Sequence, residues 1–172
     1  RARHPLGGVT PARPATRVRV AVALGSNLGD RAAHLAWALD QLSCLLSDVR
    51  RSVPCNTAPQ DVPDAQPDYL NAVVVGRTTL SPEALLEALL RLEAARGRQR
   101  PGLRAARTLD LDLILYGNRV IDEPGLQVPH PRFRDRDFVL GPLAALAPRW
   151  RDPVGGQSMA ALWRTRRLPG RG

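Results

Sequence analysis

The chain has 172 residues, 44% of them hydrophobic and 24% charged, with two cysteines and a formal net charge of +9. That length suits a single domain with a real core, and no stretch approaches the run of about 18 apolar residues that a membrane span requires. Cys44 and Cys55 fit neither a zinc spacing nor a disulfide framework, so structural thiols in a reducing cytoplasm are the expectation.

The charge lies at the ends. Residues 1–17 carry four arginines and residues 149–172 carry six against Asp152, whereas residues 18–148 balance 15 arginines with 15 carboxylates. Every cation is arginine. A neutral body with basic ends is poor evidence for nucleic-acid binding, and the Pro-rich segment 1–17 lacks the apolar stretch of a signal peptide and reads as a tail or linker.

In chain order, VRVAVALG (18–25) reads as a central strand. SNLGD is a turn whose Asp30 is placed to cap a helix with Leu35, Leu39, Leu42 and Leu46 at helical spacing. No G-K-[ST] follows these glycines, which excludes a P-loop. Residues 48–57 read as a second strand, 58–68 as a Pro/Asp-rich loop and YLNAVVVGRTTL (69–80) as a third strand. Ser81, Pro82 and Glu83 open a second helix that runs to about residue 96, with Leu85, Leu86, Leu89, Leu90 and Leu92 as its core face. RTLDLDLILYG (107–117) follows as a strand, then a turn at Gly117–Asn118, short strands near 119–121 and 126–128, and a helical region over about 134–146.

The strand 107–117 poses the chemical question. Alternation puts Leu109, Leu111, Leu113 and Leu115 on one face and Asp110, Asp112, Ile114 and Tyr116 on the other, with the two carboxylates about 6.6 Å apart along the strand. Such a pair can be a solvated acidic edge, a divalent-metal site, or a counterweight to arginines. Residues 91–107 hold six arginines against Glu93, and Arg98, Arg100, Arg104 and Arg107 continue beyond Gly97, where the helical pattern stops. Guanidinium groups beside a carboxylate pair are what a polyphosphate with its metal requires.

The order β-α-β-β-α-β predicts an α+β domain of ferredoxin-like type, an antiparallel sheet with helices on one face and an open ligand-binding face. Five ordered segments, GSNLGD (25–30), QPDYLNAVV (66–74), LEAARGRQR (92–100), RTLDLDLILYG (107–117) and VPHPRF (128–133), make the chain resemble the 6-hydroxymethyl-7,8-dihydropterin pyrophosphokinases of folate biosynthesis. The resemblance implies a domain over 18–163 with a second basic tail at 164–172, and transfer of pyrophosphate from ATP to the pterin with release of AMP. It assigns two Mg²⁺ ions to Asp110 and Asp112, catalytic roles to those residues with Arg98 and Arg107, and ATP contacts to Arg98, Arg100, Arg107, Leu113, His130 and Arg136. On the pterin side it implies stacking by Tyr69 and Phe138, a hydrogen-bonding Asn71, and loop contacts from Thr57, Ala58 and Pro59. Glu93 matches a glutamate expected to support the arginine loop.

The chain departs from the family in reading RAARTLDLD where WGPRTLDLD is common, and Leu90 stands where a Gln is frequent. The expected partners are ATP and the pterin, with neither nucleic acid nor membrane, and oligomeric state is left open. A palm-like nucleotidyltransferase and an RNA-binding sheet are the alternatives, and both lack support in a neutral body whose first strand carries no aromatic residue.

Overall fold

The computed structural model describes residues 15–60, 65–97 and 108–168. Arg98, Arg100, Arg104 and Arg107 lie outside the described residues.

The β-branched run Val18–Ser26 (β1) is the inner strand of a five-stranded sheet. Asp30 caps helix α1 (Arg31–Leu45) by accepting from the N–H of Ala33 at 3.0 Å, and Leu35, Leu39, Leu42 and Leu46 are all buried, as their spacing predicts. The expected strand over 48–57 is two strands, β2 (Ser47–Arg51) and β3 (Cys55–Thr57). Pro54 separates them, having no N–H to give a ladder. Both pair with β4 (Tyr69–Thr78). Ser81 caps α2 (Pro82–Ala95) through its hydroxyl, with Pro82 in the first turn. Of the expected core face Leu85 and Leu89 are fully buried and Leu86 and Leu92 half-buried, but Leu90 is 46% exposed and does not belong to it.

Strand β5 (Asp110–Tyr116) completes an antiparallel sheet of order β2-β4-β1-β5, with β3 also on β4. The expected alternation along β5 holds only as far as Ile114. The register against β1 shifts between Ala21 and Val22, so Val22 faces Leu113 and Ala21 faces Leu115. The extra residue exchanges the faces beyond it. Leu109, Leu111 and Leu113 pack with Tyr116 against the first two helices, while Ile114 and Leu115 both join the opposite layer. The Tyr116 hydroxyl donates to the carbonyl of Leu80 at 2.6 Å.

The hairpin β6 (Ile121–Glu123) and β7 (Leu126–Val128) leads through a cis Val128–Pro129 bond to α3 (Asp137–Leu146) and α4 (Met159–Arg167). Helix α4 runs past residue 163, so part of the segment expected to be a tail is helical. Ser158 caps it, Met159 is fully buried, and Arg166 pairs with Asp137 at the start of α3. Arg134 grips the buried Asp152 through two bonds, at 2.5 and 2.7 Å. Burial would raise the Asp152 carboxyl, but Arg134 and the N–H of Val154 outweigh it and hold the carboxyl below its ordinary value.

Helices α1 and α2 thus cover one face of the sheet, and α3 and α4 pack over Ala21, Val73, Val75 and Ile114 on the other. The second face is therefore open only at one end, and not across its whole width as the sequence pattern suggested. No described helix is long and apolar enough to cross a membrane.

Candidate active site

The open end of the sheet is organised by strand register. Asn71 on β4 stands opposite Gly25 on β1, and Gly25 stands opposite Asp110 on β5. One row further on, Val73, Ala23 and Asp112 are aligned in the same way. Directly paired residues project to the same face, so Asn71 and both aspartates look out over a floor made of Gly25 and Ala23. With strands about 4.8 Å apart, Asn71 and Asp110 are separated by about 10 Å.

Gly25 makes the floor flat. A Cβ added there would lie 3.1 Å from Asn71 Oδ1 and 3.4 Å from Tyr69 Cδ1, so these two side chains lean over a position that only glycine leaves clear. Asn71 is 5% exposed, and its Nδ2 donates to Thr57 Oγ1 at 2.6 Å. Thr57 itself faces Tyr69 across the β3–β4 pair. One amide hydrogen of Asn71 is thereby committed, and the remaining hydrogen and Oδ1 are the groups it offers to a ligand. Ala58 is exposed and Pro59 half-buried just beyond Thr57.

The acidic side lies beside a cleft of about 620 Å³ lined by Leu111, Asp112, Leu113 and His130 together with Leu86 and the β6–β7 hairpin. Asp112 Oδ2 is 4.0 Å from His130 Nε2 and 3.7 Å from Arg136 Nη1. His130 is anchored by donating its N–H to the carbonyl of Ile114 at 2.9 Å. Burial, then Arg136 and Arg132, push the imidazole down to about 4 against the opposing pull of Asp110. It is neutral near pH 7. Its Nδ1 accepts from the N–H of Arg132 at 3.1 Å, which leaves the ring proton on Nε2, facing the carboxylate. Phe138, in the first turn of α3, is half-buried against the second apolar layer, with the Arg136 guanidinium 5.9 Å from its ring centre.

Sequence reasoning missed how the aspartate strand is held. Glu93, 1% exposed in the last turn of α2, accepts from the N–H of Leu111 at 2.8 Å. That N–H lies between the two aspartates, so a buried carboxylate fixes the backbone from which both project. Thr108 donates its hydroxyl to the carbonyl of Arg96 at 2.6 Å and draws together the two ends of the arginine segment. The floor role of Gly25 was also missed; a glycine inside a strand-like run was the available signal.

Two carboxylates on an open sheet face, with a neutral imidazole, a guanidinium and a cleft beside them, are groups of the kind that phosphoryl-type transferases use. Comparison with known proteins makes the class specific. Residues 21–148 match the model of the 7,8-dihydro-6-hydroxymethylpterin-pyrophosphokinase (HPPK) family. The 2-amino-4-hydroxy-6-hydroxymethyldihydropteridine pyrophosphokinase of Synechocystis is 41% identical over 82% of this chain and 72% of its own. The Pseudomonas aeruginosa protein of the same name is 42% identical over 80% of this chain and 85% of its own. A Plasmodium falciparum HPPK-DHPS crystal structure superposes with a TM-score of 0.71 at 14% identity, over 90% of this chain and 45% of that longer one, which is a likeness of fold. The chain belongs to the HPPK family.

Proposed function

We propose that the protein transfers pyrophosphate from ATP to 6-hydroxymethyl-7,8-dihydropterin in the cytoplasm, as a step of folate biosynthesis, and that residues 18–163 carry this activity. The observation that carries the reading is the aligned row of Asn71, Gly25 and Asp110, which sets a group able to read a heterocycle's polar edge in line with a group able to hold a metal.

In this reading the pterin lies over Gly25, with Tyr69 and Phe138 as stacking surfaces, the free groups of Asn71 meeting its polar edge, and Thr57, Ala58 and Pro59 at its rim. ATP occupies the cleft along Leu113 and His130, with Arg136 beside the phosphates. The hydroxymethyl oxygen attacks the β-phosphorus, the bond from that phosphorus to the α,β-bridging oxygen breaks, and AMP leaves.

The donor set fits magnesium, a hard cation usually held by one or two carboxylates plus substrate phosphates. Among the described residues no cluster of three or more His, Cys, Asp or Glu could hold a metal alone, which suits ions that arrive with ATP. Asp110 and Asp112 would hold two Mg²⁺ ions, whose chemistry is charge neutralisation of the polyphosphate and its leaving group. His130, neutral, offers Nε2–H to a phosphate oxygen without adding charge. Arg136 is free to exchange its contact with Asp112 for a phosphate. Arg98, Arg100 and Arg107 supply further cations in this reading.

The test is product analysis after incubation with ATP, Mg²⁺ and the hydroxymethyl dihydropterin. AMP and the pterin diphosphate are expected in equal amounts. ADP as the nucleotide product, or no consumption of pterin, would overturn the proposal.

A further inference from the structure

Asn27, just after β1, and Arg31, the first residue of α1, grip the connection between β3 and β4 at its two ends. One terminal nitrogen of Arg31, Nη1, donates to Asn56 Oδ1 at 3.0 Å and to the carbonyl of Asp68 at 2.8 Å. Asn56 lies in β3 just before the connection 58–68, and Asp68 lies at its end, immediately before β4. A single guanidinium nitrogen therefore ties both ends of that connection together. Asn27, 1% exposed, adds a second tie, with Nδ2 3.2 Å from Gln66 Oε1 and 3.3 Å from the carbonyl of Pro67.

The strand so held needs holding. β3 has three residues, lies at the sheet edge, and is bounded by Pro54 before it and by Pro59 soon after it. Its ladder partner is β4, through Cys55–Asn71, Asn56–Leu70 and Thr57–Tyr69. Alternation divides its side chains. Thr57 shares the substrate face with Tyr69 and bonds to Asn71, whereas Asn56 shares the opposite face with Leu70, which packs against the α1 and α2 layer. Arg31, the first residue of α1, reaches Asn56 from that opposite side.

We propose that Arg31, with Asn27, is a positioning residue for the pterin site, acting through β3. The guanidinium holds Asn56, Asn56 holds the strand, and the strand places Thr57 where it orients the Asn71 amide. The proposal rests on the reading of Thr57, Tyr69 and Asn71 as the pterin side. An apparent dissociation constant rises in inverse proportion to the fraction of molecules in the binding-competent form. Releasing the tie therefore weakens pterin binding by the factor to which the ordered edge falls, and leaves the nucleotide cleft on the far side of β1 alone.

The experiment compares Arg31→Ala, Arg31→Lys and Asn56→Ala with the parent protein. Pterin affinity is measured with Mg²⁺ and a non-hydrolysable ATP analogue present, the analogue's own affinity is measured separately, and hydrogen exchange is followed across residues 55–57. Arg31→Ala is expected to weaken pterin about fivefold or more and to raise its KM, with kcat at saturation and analogue affinity within about twofold, and to speed exchange at 55–57. Arg31→Lys, which keeps a charged donor, should recover part of the loss, and Asn56→Ala combined with Arg31→Ala should add little to either alone. Unchanged exchange at 55–57, equal losses of pterin and nucleotide affinity, or fully additive effects of the two substitutions would each overturn the proposal. A parent protein that binds no pterin would instead refute the reading of the site, while the exchange data would still decide whether Arg31 holds the strand.

Discussion

Gly25→Ala asks whether the row from Asn71 to Asp110 is a working surface or a packing accident. The added methyl would lie 3.1 Å from Asn71 Oδ1 and 3.4 Å from Tyr69 Cδ1, so Asn71 must give by roughly 0.3 Å to reach ordinary contact distance. It has little freedom to do so, because its amide is tied to Thr57 at 2.6 Å. Gly25 is not among the residues with positive φ, so alanine meets no backbone penalty. Removing a glycine from a strand gains about 0.5–1 kcal/mol, and overpacking costs about 1–3 kcal/mol, so the net loss of stability should stay below about 2.5 kcal/mol. The effect on turnover should be larger. Displacement of reacting groups by a fraction of an ångström to an ångström costs up to about a hundredfold, or about 2.7 kcal/mol in kcat/KM. Release of AMP at varied pterin concentration, with a thermal melt of the same sample, measures both quantities. Gly76→Ala is the control, since its Cβ would lie 3.0 Å from the carbonyl of Ser47 and 3.2 Å from Leu46 Cβ, away from the row. It should lower the melting temperature and leave the activity per folded molecule intact. If Gly25→Ala kept kcat/KM within about threefold of the parent, the row would not be where the substrates meet.

Three further outcomes are expected. Asp110→Ala and Asp112→Ala should each cut turnover more than about tenfold, at least 1.4 kcal/mol of transition-state stabilisation, with little change in melting temperature, because both side chains are half-exposed and leave no core cavity. Glu93→Ala leaves the buried N–H of Leu111 without this acceptor and should cost about 1–3 kcal/mol in urea unfolding while raising the Mg²⁺ concentration for half-maximal rate; Glu93→Gln, which keeps an acceptor, should retain most of both. Asp152 has a folded-state pKa below its unfolded value, so its contribution to stability is present above about pH 4 and is lost as pH falls through the folded pKa. Urea melts at about pH 5 and about pH 3 should therefore show a smaller acid loss in Asp152→Asn than in the parent protein.

Much of this architecture is legible in the chain. The helix caps at Asp30 and Ser81, the leucine spacing of α1 and the placement of both aspartates on one face of β5 follow from local chemistry. What was not legible depends on partners distant in sequence. The bulge opposite Ala21 and Val22 exists only in the pairing of β5 with β1, so periodicity alone continued the alternation to Leu115 and Tyr116 and put them on the wrong faces. Helix α4 escaped because its sequence, MAALWRTRR, buries one residue fully and exposes its arginines, although Ser158 was a readable cap. The pairing of Asp110 with Asp112 was readable from alternation, and attention to His130 came from motif resemblance. The floor at Gly25 and the bond from Glu93 to Leu111 could not, since each needs the register of separate elements.

The bulge also explains how one strand serves two layers. Had β5 kept strict alternation, Tyr116 would have shared the face of Asp110 and Asp112 and met α3 and α4, while Leu115 would have faced α1 and α2. Inserting one residue at Ile114 lets the strand present carboxylates at its open end and two apolar side chains, Ile114 and Leu115, where the second helical layer covers it. It also returns Tyr116 to the first layer, where its hydroxyl reaches the carbonyl of Leu80. The change from polar to apolar on this face therefore falls between Asp112 and Ile114, at the boundary between the open floor and the covered sheet. His130 donates its N–H to the carbonyl of Ile114 at that same boundary. The strand irregularity thus gives the connection between β7 and α3 a backbone anchor beside Asp112, and the imidazole of His130 and the guanidinium of Arg136, both carried on that connection, meet the Asp112 carboxylate there.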